Sequence, residues 1–398
     1  MLTLDKIYQA AFVLKQVARK TDLIHAQKLS GDNQIYLKTE NLQVTGSFKL
    51  RGAYYKISQL TEAQRQAGVI ACSAGNHAQG VALACSHMGI KSVICMPDGA
   101  PISKVEATRA LGAEVCLVPG AYDDAYAHAC ELEKETHATF IHPFDDEDVI
   151  AGQATIGLEI LDQLEDLDAV VVPVGGGGLI AGVAYAIKAL RPEIKVYGVE
   201  AERAASMYQS RLAGKPVTLD RVATFADGIA VRRAGDLTFS LIEQYVDEII
   251  TVTEDEIATA ILALIEKQKL IAEGAGAVSV AAAMFGKLPI HGKRVACLVS
   301  GGNIDVNILS RVITRGLIKS GRNVTLQIAL EDKPGQLESV SRVIAQCGGN
   351  VVSVLHERND ASMPISGCYL LVGLETRDFA QIEEIKASLR EAGFRLMS

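Results

Sequence analysis

A chain of 398 residues exceeds the ~250–300 residues at which a single core stops growing, so two or three domains are expected. Hydrophobic residues at 49% and charged residues at 22%, with 35 Gly and 10 Pro, exclude a disordered or low-complexity chain. The net charge of −8 lacks the basic field that nucleic acid or an anionic membrane requires, so neither is expected as a partner and small molecules are.

Asp5 and Lys6 interrupt the N-terminus before a secretion signal can form, and the eight cysteines contain no Cys-x-x-Cys pair. Most lie in apolar runs such as Val93-Ile94-Cys95, which reads as reduced thiols in a cytoplasmic protein. From Ile35 onward, short β-branched runs alternate with stretches whose apolar residues recur at spacings of three and four. The runs include Val69–Cys72, Ser92–Cys95, Val115–Val118, Val170–Val172, Val196–Val199 and Val295–Val299. This alternation predicts parallel sheets covered by helices, with ligands in the loops at the carboxyl ends of strands. The charge-free stretch Ala169–Ile187 contains Pro173 and four successive glycines, so it predicts a strand, a turn and a helix start, not a membrane span. The pattern changes at Ser320-Gly321-Arg322. A strand (324–330), a helix (335–347), two strands (351–356 and 368–374), a helix (378–392) and a short strand then form a βαββαβ, ferredoxin-like module.

Four loops could carry chemistry. Ser47-Phe48-Lys49 opens a helix with a lysine in its first turn. The positive end of the helix dipole disfavours that charge and should lower the amine's pKa, leaving it able to form a Schiff base; a solvated surface lysine is the plainer reading. Ser73-Ala74-Gly75-Asn76-His77 follows a strand and offers backbone N–H groups suited to a carboxylate, or a helix capped by Ser73 or Asn76. His77 reads as a helix-start or packing residue, and no other histidine lies at metal-ligand spacing from it.

Gly175-Gly176-Gly177-Gly178-Leu179 brings a strand into a helix through a glycine run that fits a phosphate. Gly176, Gly178 and Ala181 also match a dinucleotide fingerprint, with Glu200 where a ribose-binding acid would stand, so a nicotinamide oxidoreductase remains a competitor. Close helix-to-sheet packing is the third reading. Ser300-Gly301-Gly302-Asn303 could present a hydroxyl to a ring nitrogen, or be a plain turn with Asn303 as a cap.

Taken together over residues 3–320, with Ala226-Asp227-Gly228 as a fifth matching loop, these motifs resemble the fold type II family of pyridoxal-phosphate enzymes, most closely its threonine and serine dehydratases. The resemblance implies an α/β fold of two open, twisted, mostly parallel sheets with flanking helices. It divides residues 1–320 into a large subdomain (1–50 and 151–320) and a small one (51–150). It implies pyridoxal 5'-phosphate as cofactor, Lys49 as the Schiff-base lysine preceded by Phe48, and Asn76 on the 3′-oxygen. Gly175 to Leu179 would hold the phosphate, Ser300 would meet the pyridine nitrogen, and Gly228 and Glu273 would surround the ring. Ser73, Ala74, Gly75, Asn76 and His77 would cradle the substrate carboxylate. Ala74 stands where the racemase branch carries a serine base, which favours elimination over racemisation. Ser206 replaces the second acid of that branch's cation site after Glu200, and no metal is assigned.

The tail (323–398) resembles the ACT domain that binds amino-acid effectors, through Asp332-Lys333-Pro334-Gly335-Gln336-Leu337 and Gly348-Gly349-Asn350. This resemblance implies effector contacts at Gly335, Gln336, Leu337 and Asn350, and a homodimer or homotetramer. The combination implies a threonine ammonia-lyase activity under amino-acid control, with a serine racemase/dehydratase as the alternative within the fold.

Overall fold

The computed structural model describes residues 1–358 and 364–397. Two compact units divide the chain, Met1–Asp305 and Val306–Ser398. The helix Val306–Lys319, grouped by sequence with the region ending at 320, clusters instead with the second unit. It leads through a three-residue connection into the first strand there and packs on it.

The first unit contains β1 (Leu23–His25), β2 (Gln34–Lys38), β3 (Val69–Cys72), β4 (Ser92–Pro97), β5 (Glu114–Val118), β6 (Thr139–Phe140), β7 (Ala169–Pro173), β8 (Lys195–Ala201), β9 (Glu248–Val252) and β10 (Arg294–Leu298). They form a six-stranded sheet, β1-β2-β10-β7-β8-β9, parallel except for β1, and a parallel four-stranded sheet, β5-β4-β3-β6. The expected pair of mostly parallel sheets is therefore present. Every residue of β3 and β7 is buried, as strands covered on both faces require, and this explains their unbroken apolar sequences.

Three helices fix the floor of the cleft between these sheets. Asp146 caps the helix Glu147–Gln163 by accepting the backbone N–H groups of Asp148 and Val149. A Cβ at Gly182 would stand 2.4 Å from the Ile150 carbonyl oxygen, and one at Gly152 2.5 Å from that of Arg51. Glycine at these positions lets the helices Gly178–Leu190 and Lys49–Ser58 both press onto the helix Glu147–Gln163. Val170, Val172, Ile180, Val183 and Ile150 complete the core there.

Arg51, two residues after Lys49, anchors the same helix inside this core. Its guanidinium donates to both carboxylate oxygens of Glu40 (2.9 and 2.8 Å) and both of Glu159 (2.6 and 3.0 Å). Buried Lys38 adds a 2.6 Å bond to Glu159. Burial alone would raise the Glu40 pKa, but the Arg51 charge outweighs it and holds the carboxyl below its ordinary value.

The second unit contains β11 (Asn323–Glu331), β12 (Asn350–Glu357), β13 (Gly367–Glu375) and β14 (Arg395–Leu396), with helices Gln336–Gln346 and Phe379–Glu391. Its sheet is antiparallel in the order β12-β13-β11-β14, the ferredoxin-like arrangement expected from βαββαβ. Val340, Ile344, Ile385 and Leu389 of the helices pack on Ile328, Leu370 and Val372 of the sheet. Among the described residues no helix is long and apolar enough to cross a membrane, and Ala169–Ile187 is the predicted strand, turn and helix.

Candidate active site

A cavity of about 1020 Å³ opens where strands of the two parallel sheets end, lined by Lys49, Ser73–His77, Gly175–Leu179, Gly228, Glu273 and Ser300, with Phe48 beside them. All the residues nominated for cofactor and substrate thus share one cavity. The turn before Lys49 is pinned to the Ser300 loop by backbone bonds, Phe48 N–H to the Ser300 oxygen (3.1 Å) and Gly302 N–H to the Gly46 oxygen (2.9 Å). Gly46 has φ +70°, and a side chain there would meet Asn303.

Lys49 is the first residue of its helix, as predicted, and its Nζ donates to the Pro143 carbonyl at 2.7 Å. Burial lowers its pKa to about 8, against the opposing charge of Glu273. A lysine this close to neutrality fits condensation with a carbonyl, and the solvated-lysine reading is set aside.

Asn76 opens the helix Asn76–Met88, but neither it nor Ser73 caps the helix; Gly75 precedes it, and Ser73 Oγ accepts the Gly75 N–H at 3.1 Å. The Asn76 side chain reaches outward. Its Nδ2 donates to Glu273 Oε1 at 2.7 Å and its Oδ1 accepts from Asn303 Nδ2 at 2.8 Å. One Nδ2 hydrogen remains for a third partner in the cavity. Glu273 is buried, its pKa pushed up to about 7 by burial and then by Asp227, against the Asn76 hydrogen bond. Asn303 is therefore a brace between loops, since Nδ2 also donates to the Thr45 oxygen (2.8 Å), and not a helix cap.

The glycine run serves packing and access together. Gly177 has φ +97°, and Cβ atoms at Gly176 and Gly178 would stand 2.4 Å from the Phe144 ring and 2.7 Å from its carbonyl oxygen. Phe144 thus fills one side of the run while the other lines the cavity, at the start of a 13-residue helix whose first N–H groups have no helical partner. Ser300 Oγ makes one long 3.4 Å bond to the Ala275 oxygen, which leaves the hydroxyl available in the cavity.

His77 is buried, with Nε2 2.9 Å from the Ile141 oxygen and Nδ1 unpartnered, and burial lowers its pKa to about 3. It stays neutral, so its ring adds no charge beside the loop, where the N–H groups of Ser73 and Gly75 are taken by the Cys95 oxygen (3.2 Å) and Ser73 Oγ (3.1 Å). Glu200 does not fit the ribose role. Its carboxylate is fully buried and accepts the N–H groups of Met207 and Tyr208 at 2.9 and 2.8 Å. Pro143 and Phe144 carry no motif, since a backbone acceptor and a packing ring have none, while Asn303 stands in the Ser300-Gly301-Gly302-Asn303 motif but braces loops where a cap was expected.

The nominated effector residues do not meet within one chain. Gly335 to Leu337 follow the end of β11, whereas Asn350 pairs in register with Glu375, which also faces Asn323 at the start of β11. The nine-residue length of β11 separates them, roughly 27 Å.

Residues 14–301 match the model of the family described as "Pyridoxal-phosphate dependent enzyme". The chain belongs to this family. It is similar to the L-threonine ammonia-lyase of Thermotoga maritima, 50% identical over 398 residues, covering 100% of this chain and 99% of the relative. Among solved structures, processed threonine deaminase isoform 2 from Solanum lycopersicum matches with TM-score 0.73 and 41% identity, over 78% of this chain and 93% of that one. Maize serine racemase matches with TM-score 0.75 and 33% identity, over 80% and 98%. The family's cofactor is pyridoxal phosphate, and the cavity fits it: a near-neutral amine, a helix start lined by glycines and a weakly held hydroxyl occupy one space.

Proposed function

We propose that the protein is a threonine ammonia-lyase, converting L-threonine to 2-oxobutanoate and ammonia by β-elimination, with L-serine to pyruvate as a second reaction. The observation that carries this reading is one cavity holding the Lys49 amine, the Asn76 amide, the glycine-lined helix start and the Ser300 hydroxyl. Lys49 would hold the cofactor's carbonyl carbon, Gly175 to Leu179 its phosphate, Asn76 its 3′-oxygen and Ser300 its ring nitrogen, with Phe48, Gly228 and Glu273 around the ring. The bound cofactor supplies the electron sink for the Cα carbanion.

The remaining chemistry belongs to the chain. In the Ser73-Ala74-Gly75-Asn76-His77 loop, backbone N–H groups other than those of Ser73 and Gly75, which bond within the protein, would orient the substrate carboxylate. Lys49, its pKa near 8, has the basicity to accept the Cα proton at neutral pH. Ser300 offers a neutral hydroxyl where a carboxylate would hold a proton on the ring, which favours rapid departure of the β-hydroxyl over transamination.

The similarity to maize serine racemase favours a second reading, racemisation, but Ala74 has no proton to exchange on the second face of Cα. In its regulation we read 1–320 as catalytic, in the two subdomains given above, and 323–398 as an ACT domain binding a branched-chain amino acid, isoleucine above others, in a cytoplasmic homodimer or homotetramer. Since Asn350 and the Gly335 loop lie at opposite ends of one sheet, that site would join two copies. Isoleucine should weaken apparent threonine affinity by about 5–150-fold, and a chain ending at Gly321 should stay active without that response.

The purified protein should show a visible absorbance band that borohydride removes, and should release 2-oxobutanoate from threonine. Absence of both, with NAD binding instead, would overturn the reading.

A further inference from the structure

The strands of the second unit bring three metal-binding side chains together at one end of its sheet. Leu330 of β11 is buried on the helix-covered face, and Asp332 is the first residue past the end of that strand. Cys368 of β13 pairs in register with Leu330, and His356 of β12 pairs with Leu370, two residues after Cys368. Two neighbouring strands and the residue that follows a third bring an imidazole, a thiol and a carboxylate together. His356 Nε2 lies 2.8 Å from Cys368 Sγ and 3.9 Å from Asp332 Oδ1, and one ligand atom from each residue lies within 4.8 Å of the others.

We propose that Asp332, His356 and Cys368 form a binding site for a zinc-type divalent cation. The donor set selects the metal class. Sulfur and imidazole nitrogen suit borderline-soft ions, whereas calcium and magnesium take oxygen ligands. Three protein ligands leave a fourth tetrahedral position for water. In the metal-free chain the Cys368 thiol can donate to His356 Nε2, and Arg358 holds Asp332 through contacts of 3.0 and 3.1 Å.

On binding, the S–H proton passes to solvent, an S–metal bond forms and Arg358 releases the carboxylate oxygen that turns to the ion. Because binding displaces the thiol proton, uptake should rise with pH. A bound ion would tie together the ends of β11, β12 and β13 beside the loop that leads to Gly335. This proposal does not depend on the lyase reading.

The test is zinc titration of the reduced, tag-free, full-length protein after chelator treatment, with bound metal counted after equilibrium dialysis. The wild type should bind one more equivalent than His356→Ala, or hold that equivalent more than about tenfold tighter. Uptake should increase between pH 6 and pH 8, and millimolar magnesium should leave it unchanged. Cobalt in place of zinc should give the visible bands of a tetrahedral site in the wild type alone. Cys368→Ala should lose the same equivalent; should it fold poorly, the partly exposed His356 carries the comparison. Equal zinc binding by wild type and His356→Ala, or displacement by magnesium, would overturn the site.

Discussion

Asn76 Nδ2 donates to Glu273 Oε1 at 2.7 Å, joining the helix that follows β3 in the small sheet to the start of the helix Gly274–Met284 beside the large one. Asn303 fixes the other end of the Asn76 amide, so the side chain has one orientation and one hydrogen left to offer. Glu273 meanwhile binds its proton up to about pH 7.

That raised pKa makes Glu273 a source of pH-dependent stability in the cofactor-free protein. The folded state binds more protons than the unfolded one between the ordinary value of 4.5 and about 7, so this contribution is present below 4.5 and is lost as pH rises to 7. Relative to Glu273→Gln, the wild type should lose about 3 kcal/mol at most across that window. Denaturant melts of both proteins from pH 4.5 to 8 would show it; parallel curves would exclude the linkage.

Lys49→Ala should reduce threonine turnover by at least about 10³-fold after reconstitution with cofactor, because the anchor and the base are one group. In the wild-type apoprotein, covalent capture of the cofactor should accelerate as pH rises through about 8, where the amine becomes neutral. A variant within tenfold of wild-type turnover would remove Lys49 from the mechanism.

Ala74 lies in the cavity wall and cannot donate a proton. Ala74→Ser should raise the rate at which unreacted L-serine appears as the D-enantiomer, while the wild type eliminates much faster than it racemises. Chiral chromatography during turnover measures both rates, and fast racemisation by the wild type would contradict the assignment.

Arg51→Leu should destabilise the fold by about 3–5 kcal/mol, since it leaves the Glu40 and Glu159 carboxylates without their shared partner inside the core. Urea unfolding followed by far-UV circular dichroism would register the loss. A change below about 1 kcal/mol would mean that Lys38 and water compensate.

Local pattern carried much of this molecule. The runs at 69–72 and 170–172 read as buried strands because parallel sheets demand unbroken apolar sequence, and the tail's strands and helices fall within about two residues of the expected bounds. The glycine run and Lys49 were legible because each departs from what a stable helix or strand would choose. The Arg51, Glu40, Glu159 and Lys38 cluster was not, since its members lie on separate elements and ordinary charged residues carry no spacing. The opposite placement of Gly335 and Asn350 was also hidden, because strand order and register decide it and neither is a local property. That the helix Val306–Lys319 clusters with the second unit was hidden for the same kind of reason: its sequence says amphipathic, not which sheet it will meet.

Phe144 and Gly176 form a single unit of variation. The ring stands where any side chain at 176 would go, 2.4 Å from its Cβ, so a substitution at 176 is a steric collision unless position 144 shrinks first. Gly176→Ala alone should abolish cofactor retention, whereas Phe144→Ala followed by Gly176→Ala should recover part of it. The order in which the two changes are made then determines whether a functional protein lies on the path between them, and a descendant that keeps the ring also keeps the glycine.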